Sequence, residues 1–134
     1  MVETHKKIKD LSYQSFIGKD LRGVDFSNSN LKRAIFDRAD LEGANLSNSD
    51  LSRASFRDAN LMKAALDGAI LDDADFRKAK LSLANLQNAS LNNTDLRGIR
   101  GRYAIWRNTN WWDAKMNDDL KKALDKKWPQ DQSN

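Results

Sequence analysis

The chain has 134 residues, no cysteine, 40% hydrophobic and 31% charged residues, and a formal net charge of +4. That length fits one domain, the absence of thiols excludes a disulfide framework, thiolate chemistry and cysteine-based metal sites, and the polar composition points to a thin core. No apolar run approaches the roughly 18 residues of a membrane span and the N-terminus has no signal-like apolar stretch, so the expectation is a soluble cytoplasmic protein without membrane contact.

Residues 1–8 read as a polar N-terminal segment or cap. His5, the single histidine, lies there beside Lys6 and Lys7 and reads as a solvated side chain.

From residue 9 a period of five takes over. Large apolar residues recur without a missed step from Leu11 to Leu96, through Phe16, Leu31, Phe36, Leu51, Phe56, Leu71, Phe76 and Leu91. Two positions before each stands a small residue, as at Ala34, Ala39, Ala44 and Ala54, with Ser29, Ser49 and Thr94 as near equivalents. On an α-helix a step of five rotates the side chain about 140° past a full turn, so the leucines would spiral around every face. On a flat strand an odd step puts successive leucines on opposite faces. Only a chain that turns a corner once per unit keeps them all on one axis. Phe16, Phe36, Phe56 and Phe76 recur every fourth unit, so a four-sided coil would stack the rings in one column about 4.8 Å apart. Corners call for residues that tolerate φ > 0. The position two after the large residue supplies Gly18, Gly23, Gly43, Gly68 and Gly98, or Asn28, Asn48, Asn88, Asn93 and Asn108.

The unit A-[DN]-L-x-x, written nearly verbatim in Ala39-Asp-Leu-Glu-Gly-Ala-Asn-Leu46, resembles the pentapeptide-repeat family, including its stand-alone bacterial and cyanobacterial members. The resemblance implies an all-β solenoid, a right-handed quadrilateral β-helix, expected over residues 9–116 as about five to six coils and a rod about 25 Å long. It also implies two functional precedents: stand-alone proteins of unknown role, and a subset that protects DNA gyrase by resembling duplex DNA.

Past Leu96 the register continues with altered contents at Gly101, Trp106, Trp111 and Met116, as befits a solenoid end. Residues 117–128 predict a helix with Asn117 as N-cap, acids in the first turn, lysines in the last and Pro129 as the stop. Leu120, Ala123, Leu124 and Trp128 fall on one face, which would seal the open end of the coil or form a homodimer contact. Residues 129–134 read as a disordered tail.

Catalytic and metal-binding patterns are missing from the sequence: it has no triad, no second histidine and no phosphate-cradling loop. Asp72, Asp73 and Asp75 read as a solvated edge, and Gly98-Ile-Arg-Gly101 lacks the helices that would make it a nucleic-acid clamp. Arg57, Arg77 and Arg97, flanked by Asp37, Asp58, Asp75 and Asp95, predict a self-neutralising lattice. Asn28, Asn48, Asn88 and Asn108 predict a hydrogen-bonded ladder.

The candidate binding surface is the last coil, where Arg97, Arg100, Arg102 and Arg107 occur without an intervening acid among Tyr103 and Trp112. The expected function is a non-catalytic protein-interaction or scaffold module without a cofactor, acting as a monomer or as a homodimer through a terminal surface. Gyrase-directed DNA mimicry is the alternative, disfavoured because a mimic needs a negative surface. Binding of nucleic acid or an acidic protein through the basic coil is the third reading.

Overall fold

A computed structural model of the chain describes residues 9–130. The expected N-terminal cap over residues 1–8, and all of the tail beyond residue 130, lie outside the described residues.

The chain winds into a right-handed, four-sided coil in which residues of the repeat sit above those twenty positions earlier. Parallel bridges run from Asp10↔Asn30 through Ser55↔Asp75 to Asp95↔Lys115. Each side is one bridge wide, because the chain turns a corner every five residues. Leu31 donates its N–H to the carbonyl of Asp50 and Leu51 to that of Ile70, both at 2.8 Å, so the coils are zipped by backbone bonds parallel to the solenoid axis.

Corners repeat one turn. Ala34 N–H returns to Leu31 C=O at 3.0 Å, with Arg33 at φ 58° between them, the pattern of a type II turn. All the positive-φ residues lie on such corners, with φ between 55° and 77°. Glycine and asparagine mark only part of them: Tyr13, Arg33, Arg53, Lys63, Leu83 and Tyr103 adopt the same conformation. The left-handed conformation costs an ordinary residue about 1–2 kcal/mol. Bonds between coils such as Arg33 N–H to Ser52 C=O at 2.9 Å impose it regardless.

The expected asparagine ladder does not form. Asn28, Asn48, Asn88 and Asn108 occupy corners at φ 55–63°, and among the described residues none of their side chains bonds to the next in the column. Asx turns on the flat sides carry the side-chain bonding instead: Asp50 Oδ1 accepts from Ser52 N–H at 3.1 Å and Asn60 Oδ1 from Met62 N–H at 3.1 Å.

From Leu31 to Leu96 every large residue of the repeat is buried. Phe16, Phe36, Phe56 and Phe76 stack with centroids 5.0, 4.8 and 4.6 Å apart and planes within 10°. Phe16 belongs to the first described coil and is only partly buried. Between the layers the alanines are sealed in, and the hydroxyls among them are all satisfied: Ser49 donates to Phe26 C=O at 2.6 Å and Thr94 to Leu71 C=O at 2.7 Å.

The last coil departs from the repeat. Trp106 and Trp111 point inward and are buried. A 3-10 turn over Trp111–Asp113 replaces the next corner, and helix α1, Asp118–Lys127, follows. Asn117 stands at the N-cap position with extended backbone but makes no side-chain capping bond. Helix α1 meets the core through Leu124, which is buried, with Leu120 and Trp128 partly so. Ala123 is exposed. Leu120, Leu124 and Trp128 define a narrow i, i+4, i+8 stripe, and Ala123 lies off its edge.

Candidate functional site

Five residues advance the chain by one side, so the run from Arg97 to Trp112 travels most of the way around a coil instead of forming one patch. Arg97 shares its column with Arg57 and Arg77, and its charge is matched: its Nη2 lies 2.6 Å from Asp95 Oδ2. That carboxylate also faces Arg77 Nε at 3.8 Å, while Asp75 receives Arg77 Nη2 at 2.8 Å and Arg57 Nε from the coil before. Asp37 accepts the backbone N–H of Arg57 at 3.1 Å. The expected lattice is therefore present, except that Asp58 sits on a corner and joins none of these pairs among the described residues. Burial pushes the Asp75 carboxyl up, but hydrogen bonds from Arg77 and Arg57 outweigh it and hold the group well below the usual carboxylate range. A hydrogen bond from Arg97 lowers Asp95 in the same way.

Arg100, Arg102 and Tyr103 do lie together. Leu83 and Tyr103 occupy one corner in successive coils, with Leu83 N–H bonded to Arg102 C=O at 3.0 Å. Arg100, bridged to Lys80, flanks that corner on one side, and Ile105, bridged to Asn85, flanks it on the other. Tyr103 is 68% exposed, Leu83 49% and Ile105 38%. None of Lys80, Arg100 and Arg102 belongs to an ion pair among the described residues. The ridge is thus apolar at its crest and cationic along one flank. The five-residue register hid it, because Leu83 is twenty positions from Tyr103 and sits at a corner where polar residues are expected.

Arg107 and Trp112 belong to a different region. Arg107 lies over the Trp128 ring with its guanidinium carbon 5.8 Å from the centroid. Trp112 packs edge-on against Trp111, centroids 5.8 Å apart. Asp72 and Asp73 are held in side-chain bonds to Ser90 and Asn93 at 2.6 and 2.7 Å. No group of three or more acids and histidines among the described residues could hold a metal ion.

A four-sided coil of stacked parallel bridges around a column of Phe and Leu side chains defines a repeat protein of the β-solenoid class. The Pentapeptide repeats family model matches in eight copies, over residues 10–43, 20–58, 34–72 and 59–98, and the chain belongs to the pentapeptide repeat family. It is similar to a pentapeptide repeat protein of the Arabidopsis thaliana thylakoid lumen, 35% identical at TM-score 0.80 over 82% of this chain and 77% of that one. A pentapeptide repeat protein of the cyanobacterium Cyanothece is 26% identical at TM-score 0.68, over 78% of this chain and 88% of its own. The plasmid-mediated fluoroquinolone resistance protein QnrB1, 15% identical at TM-score 0.37 over 90% of this chain and 96% of that one, is too distant to bear on function. No curated protein matches the chain. No helix among the described residues is long and apolar enough to cross a membrane.

Proposed function

We propose that the protein is a non-catalytic interaction module that binds a protein partner along the corner formed by Leu83 and Tyr103. The observation that carries this reading is the exposure of three large apolar side chains, Leu83, Tyr103 and Ile105, on a rigid framework where the other corners are mostly polar. Tyrosine gives large contact area at low entropic cost, and cations at the rim steer an acidic surface toward it. Duplex-DNA mimicry is the poorer reading, because a mimic needs a negative face and the formal net charge here is +4.

The test is affinity capture from the native host with the wild type, Leu83→Glu/Tyr103→Glu, and Ile17→Glu, which alters an exposed apolar residue near the opposite end. The reading requires a partner retained by the wild type and by Ile17→Glu and lost from the ridge variant. A partner kept by all three proteins places the contact elsewhere. Arg100 and Arg102 also favour a second reading, binding of a nucleic acid: affinity for an oligonucleotide would fall steeply with salt and fall again in Arg100→Glu/Arg102→Glu. Protection of gyrase by the purified protein would reinstate mimicry.

A further inference from the structure

The four tryptophans of the chain, Trp106, Trp111, Trp112 and Trp128, converge at one end of the solenoid. With Arg107 and Lys127 they line a cleft of about 250 Å³ between the last coil and helix α1. Sealing the core accounts for two of these rings. Trp106 and Trp111 are each 3% exposed, and the Trp111 indole N–H donates to the Trp128 carbonyl at 2.7 Å, which pins the helix end to the coil. It does not account for Trp112, which remains 38% exposed, nor for the charges. Arg107 and Lys127 each lie 5.8 Å from the centroid of the Trp128 ring. No carboxylate lines the cleft, and neither cation belongs to an ion pair among the described residues.

We propose that this cleft binds a small planar anion, a single aromatic ring bearing a carboxylate or phosphate group. The indoles of Trp112, which is exposed, and Trp128, which is partly so, offer aromatic surface to a ring, and two cations with no ion-pair partner among the described residues favour an anion held by charge-assisted hydrogen bonds. The size of the cleft, below the roughly 300–1,000 Å³ of drug-sized pockets, limits the ligand to about one ring. The pinned Trp111–Trp128 contact means that the walls are preformed, so little ordering opposes binding. The proposal is independent of the Leu83–Tyr103 ridge, which lies on a different corner.

The four indole N–H resonances provide the readout. The full chain, labelled with nitrogen-15, is titrated at low salt with sodium benzoate, with phenyl phosphate, and with uncharged benzamide. The expected result is saturable shifts at Trp112 and Trp128 with at least one anion, and none that saturate with benzamide over the same range. Benzoate and phenyl phosphate separate the carboxylate source from the phosphate source. Arg107→Gln/Lys127→Gln is expected to raise Kd at least tenfold. Should Arg107→Gln loosen α1, seen as a moved Trp111 resonance before ligand is added, Lys127→Gln alone carries the comparison, with an expected rise of about threefold. No saturable shift with either anion, equal response to benzamide, or affinity unchanged in the lysine variant would overturn the proposal.

Discussion

The backbone N–H of Leu91 donates to the side-chain Oδ1 of Asn110 at 2.7 Å, where its counterparts in the winding all reach a backbone carbonyl. Leu86 bonds to Ile105 C=O at 2.8 Å and Leu96 to Lys115 C=O at 2.7 Å. The difference arises in the 3-10 turn at Trp111–Asp113, which displaces the corner by one residue without lengthening the coil: Asn93 N–H meets Asp113 C=O, twenty positions on, whereas Asp73 N–H meets Asn92 C=O, nineteen on, and the register is regained at Leu96, whose N–H reaches Lys115 C=O nineteen on. Asn110→Ala strands a partly buried amide and is expected to cost about 1–3 kcal/mol in urea unfolding, with faster hydrogen exchange at Leu91. Asn110→Asp keeps the acceptor and should cost less. Equal losses would show that the side chain does not stand in for the missing carbonyl.

Adjacent residues on opposite faces of the wall separate core from surface. Phe56 is fully buried between Phe36 and Phe76, whereas the Arg57 side chain is 53% exposed. Phe56→Ala is expected to lose about 3–5 kcal/mol through the cavity it leaves, and Phe56→Arg to prevent folding because an unpaired charge enters a dry layer. Arg57→Ala should cost less than about 1 kcal/mol. Thermal melting distinguishes them, and comparable losses from Phe56→Ala and Arg57→Ala would contradict the assignment of faces.

What the sequence disclosed and what it concealed follow from the same period. A thin core allows one large and one small inward residue per unit, so Phe56 and Ala54 could be placed from spacing alone. Corner conformations are set by bonds between coils, so Leu83 and Tyr103 take positive φ with no local signal of it. The run from Arg97 to Trp112 looks like a single basic stretch, yet it wraps the coil, and Asp95, just outside the run, neutralises Arg97. Arg107 meets Trp128 only because the 3-10 turn brings α1 back over the end, a path that no repeat register specifies.

The Asp75 carboxylate makes stability depend on acidity. Its folded pKa lies below the unfolded value of about 4, so the folded state binds fewer protons, and the stabilisation is present above that value and lost as pH falls through the folded pKa. Asp75→Asn is expected to cost about 1 kcal/mol at neutral pH, with the two exposed arginine partners limiting the effect. The difference in Tm between wild type and variant should narrow as pH is lowered below about 4. A difference that stays constant down to pH 2 would mean that the carboxylate charge contributes nothing.

Asp20 presents the same chemistry without burial. A hydrogen bond from Arg22 lowers its carboxyl to about 2, yet both side chains are 62% exposed, so water and salt compete for the pair. Asp20→Asn is expected to leave Tm unchanged within error at 0.15 M salt, and a clear loss there would show that the first coil depends on this pair.

Removal of helix α1 uncovers the end of the core. Leu124 is 3% exposed, Leu120 and Trp128 pack beside it, and Trp111 would lose the carbonyl that accepts its indole N–H. Deleting residues 117–134 leaves the final coil edge and an apolar layer open to solvent, both of which favour association between chains. Sedimentation should therefore show self-association of the truncated chain, together with a lower Tm. A truncated protein that stays monomeric with unchanged Tm would mean that the helix does not seal the core. If the intact protein is instead dimeric and truncation yields a monomer, the Leu120–Leu124–Trp128 stripe is the contact between two copies.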